Sequence, residues 1–471
     1  MKYAIYPPIG IARIGNSPNE FFFGPESSNS VGSEITPNGI ESPVVSWKDS
    51  AYRMKRQAAR FQVFEVPDDG SLPRPAQLLE GTTIRWTARI VNKKDAVVRP
   101  AGPPPQPAAI SLASGRQDRV IDSAVVTIQG ANATAVKLAG TYRGGAVPLG
   151  EIRTDGEQRL VVLGGPAVSS PSTPTTPIGG DFYNNPDWHD DVGDGPVTAL
   201  IQFPGQPAVS TAPAWVIVAP PDFAPAARGI VTLYDVILQT AYNAGLATAP
   251  TQTFFATDVR PLIERASSLQ WVNGNPVWGK VSIDFTKLAD PSATNRTTRS
   301  ANAALIRSVE TALQNFSLQD WQNTVLDNWE SGNFDPGARP SSGSAAEIAR
   351  AALDGTVGQG FFPGIEGGII LTNASLYSSP FDFRLNHGKV LPGDITALMA
   401  LPWQADFLKC AGGWWPAQRP DLAPQTTGAA RPWLRPTYTH AQLVQHAMQL
   451  GVITPQGATM VEMGRDPVLG S

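Results

Sequence analysis

Proline and glycine, 44 of each in 471 residues, interrupt this chain so often that few long helices can form. Proline fixes φ and lacks a backbone donor, and glycine supplies turn conformations other residues avoid. The expectation is therefore short elements joined by rigidly punctuated loops. A chain of this length exceeds what one hydrophobic core usually serves, so two intimately packed domains or one large irregular one are expected.

Residues 1–225 read as a β-rich domain. Segments 83–91, 124–128 and 160–163 are β-branched or alternating and bounded by turn residues. Between them, the proline run 99–107 must be extended, and 164–177 reads as a long surface loop. Residues 226–471 read as a mainly helical, loop-rich domain carrying Cys410. Leu305, Val309, Ala312, Leu313 and Phe316 form an apolar stripe at three- and four-residue steps, with Ser300 as its cap. Segments 345–353 and 441–450 are further short helices. The fold class is α+β, a β-rich N-terminal half packed against the helical one.

A net charge of −4 without a dense Lys/Arg block gives no nucleic-acid surface. No run approaches the roughly 18 apolar residues of a membrane span, and the N-terminus lacks an apolar signal core. A cytoplasmic protein that does not engage a membrane is expected, and one cysteine without a disulfide framework agrees.

The chemistry concentrates around that cysteine. Segment 401–421 gathers Cys410, Asp406, Asp421, Trp403, Trp414, Trp415 and Arg419. Asp406 and Cys410 stand four apart, so on a helix they share a face one turn apart. A second cluster, 181–195, holds His189, Asp190 and Asp191 among further aspartates and asparagines. It reads either as a turn-rich loop or as contact to a cation or substrate. Glu366 lies between turn glycines, where backbone can approach a ligand closely. His189, His387, His440 and His446 show no zinc spacing, so no metal is expected. Nucleophile-elbow, phosphate-loop and dinucleotide motifs are missing from the sequence.

Several segments together resemble the lysine ε-oxidase and glycine oxidase family that carries a cysteine tryptophylquinone. They are Gly10-Ile-Ala-Arg-Ile-Gly-Asn-Ser-Pro18 with Phe23-Gly-Pro-Glu26, then 188–196, 214–225, 269–273, 362–366 and 403–421. The resemblance implies oxidative deamination of a primary amine or amino acid with O2, giving ammonia and hydrogen peroxide. It implies a cofactor made from the chain itself, a Trp oxidised to an ortho-quinone and joined by a thioether to Cys. It also implies a maturation flavoprotein and a homo-oligomer. Cys410 matches the thioether cysteine, and Asp406 matches the acidic residue beside the cofactor, suited to proton transfer.

One position departs from the pattern. The family's quinone Trp precedes a Leu-Gly downstream of the cysteine, and the matching stretch 443–451 has Ala447 there. Alanine cannot form a quinone. The tryptophans after Cys410 are Trp414 and Trp415, which read as packing, and Trp433, whose rigid loop would have to bring its indole onto Cys410. Trp414, Trp415 and His446 join His189, Asp190, Asp191 and Glu366 as candidate substrate contacts. Two enzymes stay open, a Cys410–Trp433 quinoprotein oxidase and a cofactor-free biosynthetic enzyme using Asp406 as acid/base on an amino-acid-derived substrate. A ligand-binding scaffold is the third alternative.

Overall fold

The computed structural model describes residues 2–28, 30–100, 110–179, 181, 183–313, 317–358, 366–409 and 415–470. Its architecture is α+β, with the strands concentrated before Ala219 and the helices after it.

The main strands are β1 (Lys2–Tyr6), β2 (Ile9–Arg13), β3 (Arg56–Val66), β4 (Thr83–Ala88), β5 (Val126–Gln129), β6 (Val136–Tyr142), β7 (Gly145–Thr154) and β8 (Leu160–Gly164). They continue as β9 (Trp188–Asp190), β10 (Gly193–Gln202) and β11 (Ala214–Ala219). Antiparallel pairing runs β5–β4–β10–β11, and β11 then pairs in parallel with β2, Trp215 opposite Ile9. On the other side β6, β7 and β8 lead to β3, whose C-terminal half also pairs with β1. Strands β2 and β11 are buried along their whole length, as a continuous apolar run such as Ala-Trp-Val-Ile-Val-Ala requires. Gly10 is needed there, because a Cβ would meet the Phe61 ring at 2.4 Å.

The helical half holds α1 (Leu233–Asn243), α2 (Arg260–Ser268), α3 (Arg296–Arg307), α4 (Asp320–Ser331), α5 (Ser344–Asp354), α6 (Gln404–Lys409) and α7 (His440–His446). Thr232 and Asp235 form a capping box on α1, and Gly332 closes α4 in the left-handed region. Helix α5 lies on β2 and α1, which joins the two halves. Among the described residues no helix is long and apolar enough to cross a membrane.

Two expectations need correction. Ser300 is not a cap: α3 starts after Asn295, and its buried face carries Arg299, Asn302, Ala303 and Ile306. The apolar stripe is broken at Ser308, where a separate turn, Val309–Ala312, begins; Phe316 lies outside the described residues. Segment 181–195 is not all loop either, since β9 and the start of β10 lie within it. The proline run 99–107 falls mostly outside the described residues.

Candidate active site

Helix α6 has six residues, too few to persist without outside support. Its support is the aspartate cluster. Asp190 and Lys94 form an ion pair with both side chains wholly buried. Asp190 also accepts the Trp403 backbone N–H at 3.0 Å, just before the helix, while Lys94 donates to the Ala400 carbonyl at 2.7 Å. Asn92 donates to the Asp190 backbone and carboxylate, which completes the shell. Ser169 reaches Gln404 at 3.0 Å. Strand β9 thus holds the start of α6.

The helix buries Ala405, Asp406 and Phe407. Phe407 packs edge-on against Trp403 at 5.0 Å and also meets Phe223. Asp406 lies in the first turn, where the helix dipole favours a carboxylate, and is 3% exposed. The following residue of interest, Cys410, and Trp414 lie outside the described residues. Helix α6 packs against α7, and Ala447 follows α7 directly with its methyl group buried in the same apolar cluster as Phe407.

Trp433 is fixed at several points. Its indole N–H donates to Gly451 O at 2.7 Å, its backbone N–H donates to Asp421 O, and its carbonyl accepts from Arg465. The ring rests on Phe223 at 4.8 Å and has no exposed surface. Trp415 is likewise buried.

Glu366 sits apart from the aspartates, in a buried polar knot. Its carboxylate accepts from Arg13, from Gln418 at 3.0 Å and from the Val357 N–H at 2.8 Å. Arg13 continues to the carbonyls of Pro220 and Gly355. Gln418 follows the Trp415 segment closely, so this knot ties β2 to the chain just beyond Cys410.

The remaining candidates have structural partners. His189 stacks on Tyr142 at 4.6 Å, and burial pushes its pKa down. Asp191 is wholly buried and accepts from the backbone N–H groups of Ala167 and Val168. Burial first, then the Asp190 charge, push it up to about 8. Gly165 is required beside it, since a Cβ there would stand 2.3 Å from its carboxylate. His446 bonds to Gln449 at 2.6 Å at the end of α7. Asp194 accepts from Thr396 and Trp215 and is still pushed up to about 6 by burial. Among the described residues no three His, Cys, Asp or Glu side chains are grouped to hold a metal ion.

Lys94 and Arg13 escaped sequence reasoning as site-organising residues. Lys94 sits in Asn-Lys-Lys-Asp, which reads as a solvated turn. Arg13 stood inside the Gly10–Pro18 motif, and that was the signal available for it.

A family model described as the L-lysine epsilon oxidase N-terminal region matches residues 6–218, and its C-terminal domain counterpart matches 300–427. The L-lysine 6-oxidase of Marinomonas mediterranea is 25% identical over 530 aligned positions, covering 87% of this chain and 71% of that protein. The solved structure of the ε-lysine oxidase from Marinomonas mediterranea superposes with a TM-score of 0.82 at 20% identity, covering 98% of this chain and 95% of that one. The structure of its Schiff base intermediate with L-Lys gives a TM-score of 0.80 at the same identity and coverage. The fold is shared along nearly the whole length, and both halves match models of one family. The chain therefore belongs to the L-lysine ε-oxidase family, a family of amino-acid oxidase enzymes.

Proposed function

We propose that this enzyme acts on a primary amine or amino-acid-derived substrate beside α6, with Asp406 as its acid/base group, and that it does so without a tryptophylquinone. The observation that carries the reading is Ala447, a buried methyl at the position where the resemblance calls for the quinone indole. Helix α7 packs on α6, so this position belongs to the neighbourhood of the helix that carries Asp406. Trp433 does not fit the role, because its ring is closed off on all sides and offers no surface to a substrate amine. A quinone would supply an electron sink for the substrate carbon.

Asp406 itself suits proton transfer. It is buried, and a carboxylate withdrawn from water attracts an ammonium group more strongly than one in water. The Lys94–Asp190 pair fixes the start of its helix, so the carboxylate is positioned before a substrate arrives.

Family membership and the Asp406–Cys410 spacing favour a second reading. In it, Cys410 and Trp433 are crosslinked with the help of a maturation flavoprotein, and the enzyme releases ammonia and hydrogen peroxide from an amine with O2. Intact mass separates the two. An unmodified mass, no visible absorption and a titratable Cys410 thiol are expected. A mass heavier by two oxygens less four hydrogens, with visible absorption, establishes the second reading in place of the first. Under either reading Asp406→Asn is expected to abolish turnover in an amine and amino-acid panel while leaving the circular dichroism unchanged. Retained turnover removes Asp406 from the chemistry.

A further inference from the structure

A cavity lies between α2, the end of α5 and the segment before α1, with Ser28 and Val31 of the strand half at its edge. It encloses about 460 Å3, and its lining includes Arg228, Arg260, Arg265, Arg350, Thr257 and Asp354. That volume is within the range of small-molecule sites. Four guanidinium groups in one cavity need counter-charge, and the structure supplies it unevenly.

Arg265 is buried between Asp235 at 2.9 Å and Asp354 at 2.7 Å. Arg350 pairs with the other Asp354 oxygen at 3.0 Å and lies over the Tyr234 ring. Arg260, at the rim, pairs with Glu264 at 2.8 Å. Arg228 forms no ion pair among the described residues, and its one hydrogen bond goes to the Ser30 carbonyl. Asp354 and Asp222 act on it only through space, opposed by Arg265 and Arg350. Asp222 is shared with the Arg13 and Glu366 group. A half-buried guanidinium with five donors thus lines a cavity whose carboxylates are already engaged by other arginines.

We infer that this cavity is a binding site for a small molecule bearing an oxyanion, a carboxylate or a phosphate, whose charged group is received by Arg228 and Arg350. Guanidinium forks match both anions through paired hydrogen bonds. The inference is independent of the chemistry at Asp406, since no residue of α6 lines the cavity.

Calorimetric titration of the intact chain with inorganic phosphate and with succinate, in chloride buffer of constant ionic strength, tests it. Saturable binding of at least one probe is expected, and the preferred probe identifies the anion. Arg228→Gln should weaken that binding about tenfold or more, while Arg85→Gln, at an exposed position on β4, leaves it unchanged. Arg228→Lys keeps the charge and loses the fork, so its affinity should fall between the two. It also serves as the test if the glutamine variant does not fold. Binding of neither probe, or equal affinity in wild type and the Arg228 variants, overturns the inference.

Discussion

Asp191 sits in a setting that opposes its ordinary chemistry. A carboxylic acid normally near 3.8 is held at about 8 by burial and by the Asp190 charge, opposed by backbone N–H groups, those of Ala167 and Val168 among them. Between about pH 4 and pH 8 the folded protein keeps a proton that the unfolded chain has released. The stability this group contributes is therefore full at low pH and declines as pH rises through that window. Asp191→Asn keeps the accepting oxygen and cannot ionise. Its melting temperature should match the wild type near pH 4 and exceed it at pH 8, by an amount worth at most a few kcal/mol. Thermal unfolding at both pH values checks this, and an equal offset at both rejects the assignment. The sequence made these aspartates conspicuous but not their roles. Asx-type turns, ion pairs and ligand contacts all use the same residues, and only the fold shows that Asp190 faces Lys94 while Asp191 faces backbone.

At the scale of elements, α6 shows what was legible and what was not. The four-residue spacing of Asp406 and Cys410 puts both on one face if that segment is helical, and α6 covers the first of the pair. Nothing local predicted its anchor, because Lys94 and Asp190 meet across a separation of 96 residues. Helix α3 shows the opposite error. Its apolar positions suggested one buried stripe, yet the buried face centres on Arg299, whose guanidinium satisfies the carbonyls of Trp329, Asp290 and Ser292. A charged residue used to tie loops is invisible to a hydrophobic pattern. The anchoring of α6 carries its own test. Lys94→Met leaves Asp190 buried without its partner, and breaking such a pair from one side costs about 3–5 kcal/mol. Urea unfolding should show a loss of that order, and turnover should fall because the helix bearing Asp406 is released. A loss within the error of the measurement would mean that α6 is held by its aromatic packing alone.

For the whole molecule, the division expected at residue 225 is crossed by many side-chain hydrogen bonds, several of them buried. Lys94 reaches Ala400, Arg99 reaches the carbonyls of Ala397 and Met399, Asp194 holds Thr396, and Arg13 holds Glu366. Each takes a charged group from the strand half and satisfies it with the helical half. Three strand segments were readable from local β-branched or alternating patterns, at 83–91, 124–128 and 160–163, whereas this stitching depends on side chains hundreds of residues apart. Separating the halves would leave Lys94, Arg99, Asp194 and Arg13 facing either solvent or an unpaired interior, at several kcal/mol for each buried charge. The two halves are therefore expected to unfold as one cooperative unit. Differential scanning calorimetry should give a single transition, and residues 1–225 expressed alone should lack protected amides in β2 and β11, which α5 and the 394–404 segment cover in the whole chain. Two resolved transitions, or a folded 1–225 fragment, would show that the strand half is self-sufficient and that the α6 site is built on a docked partner rather than on a shared core.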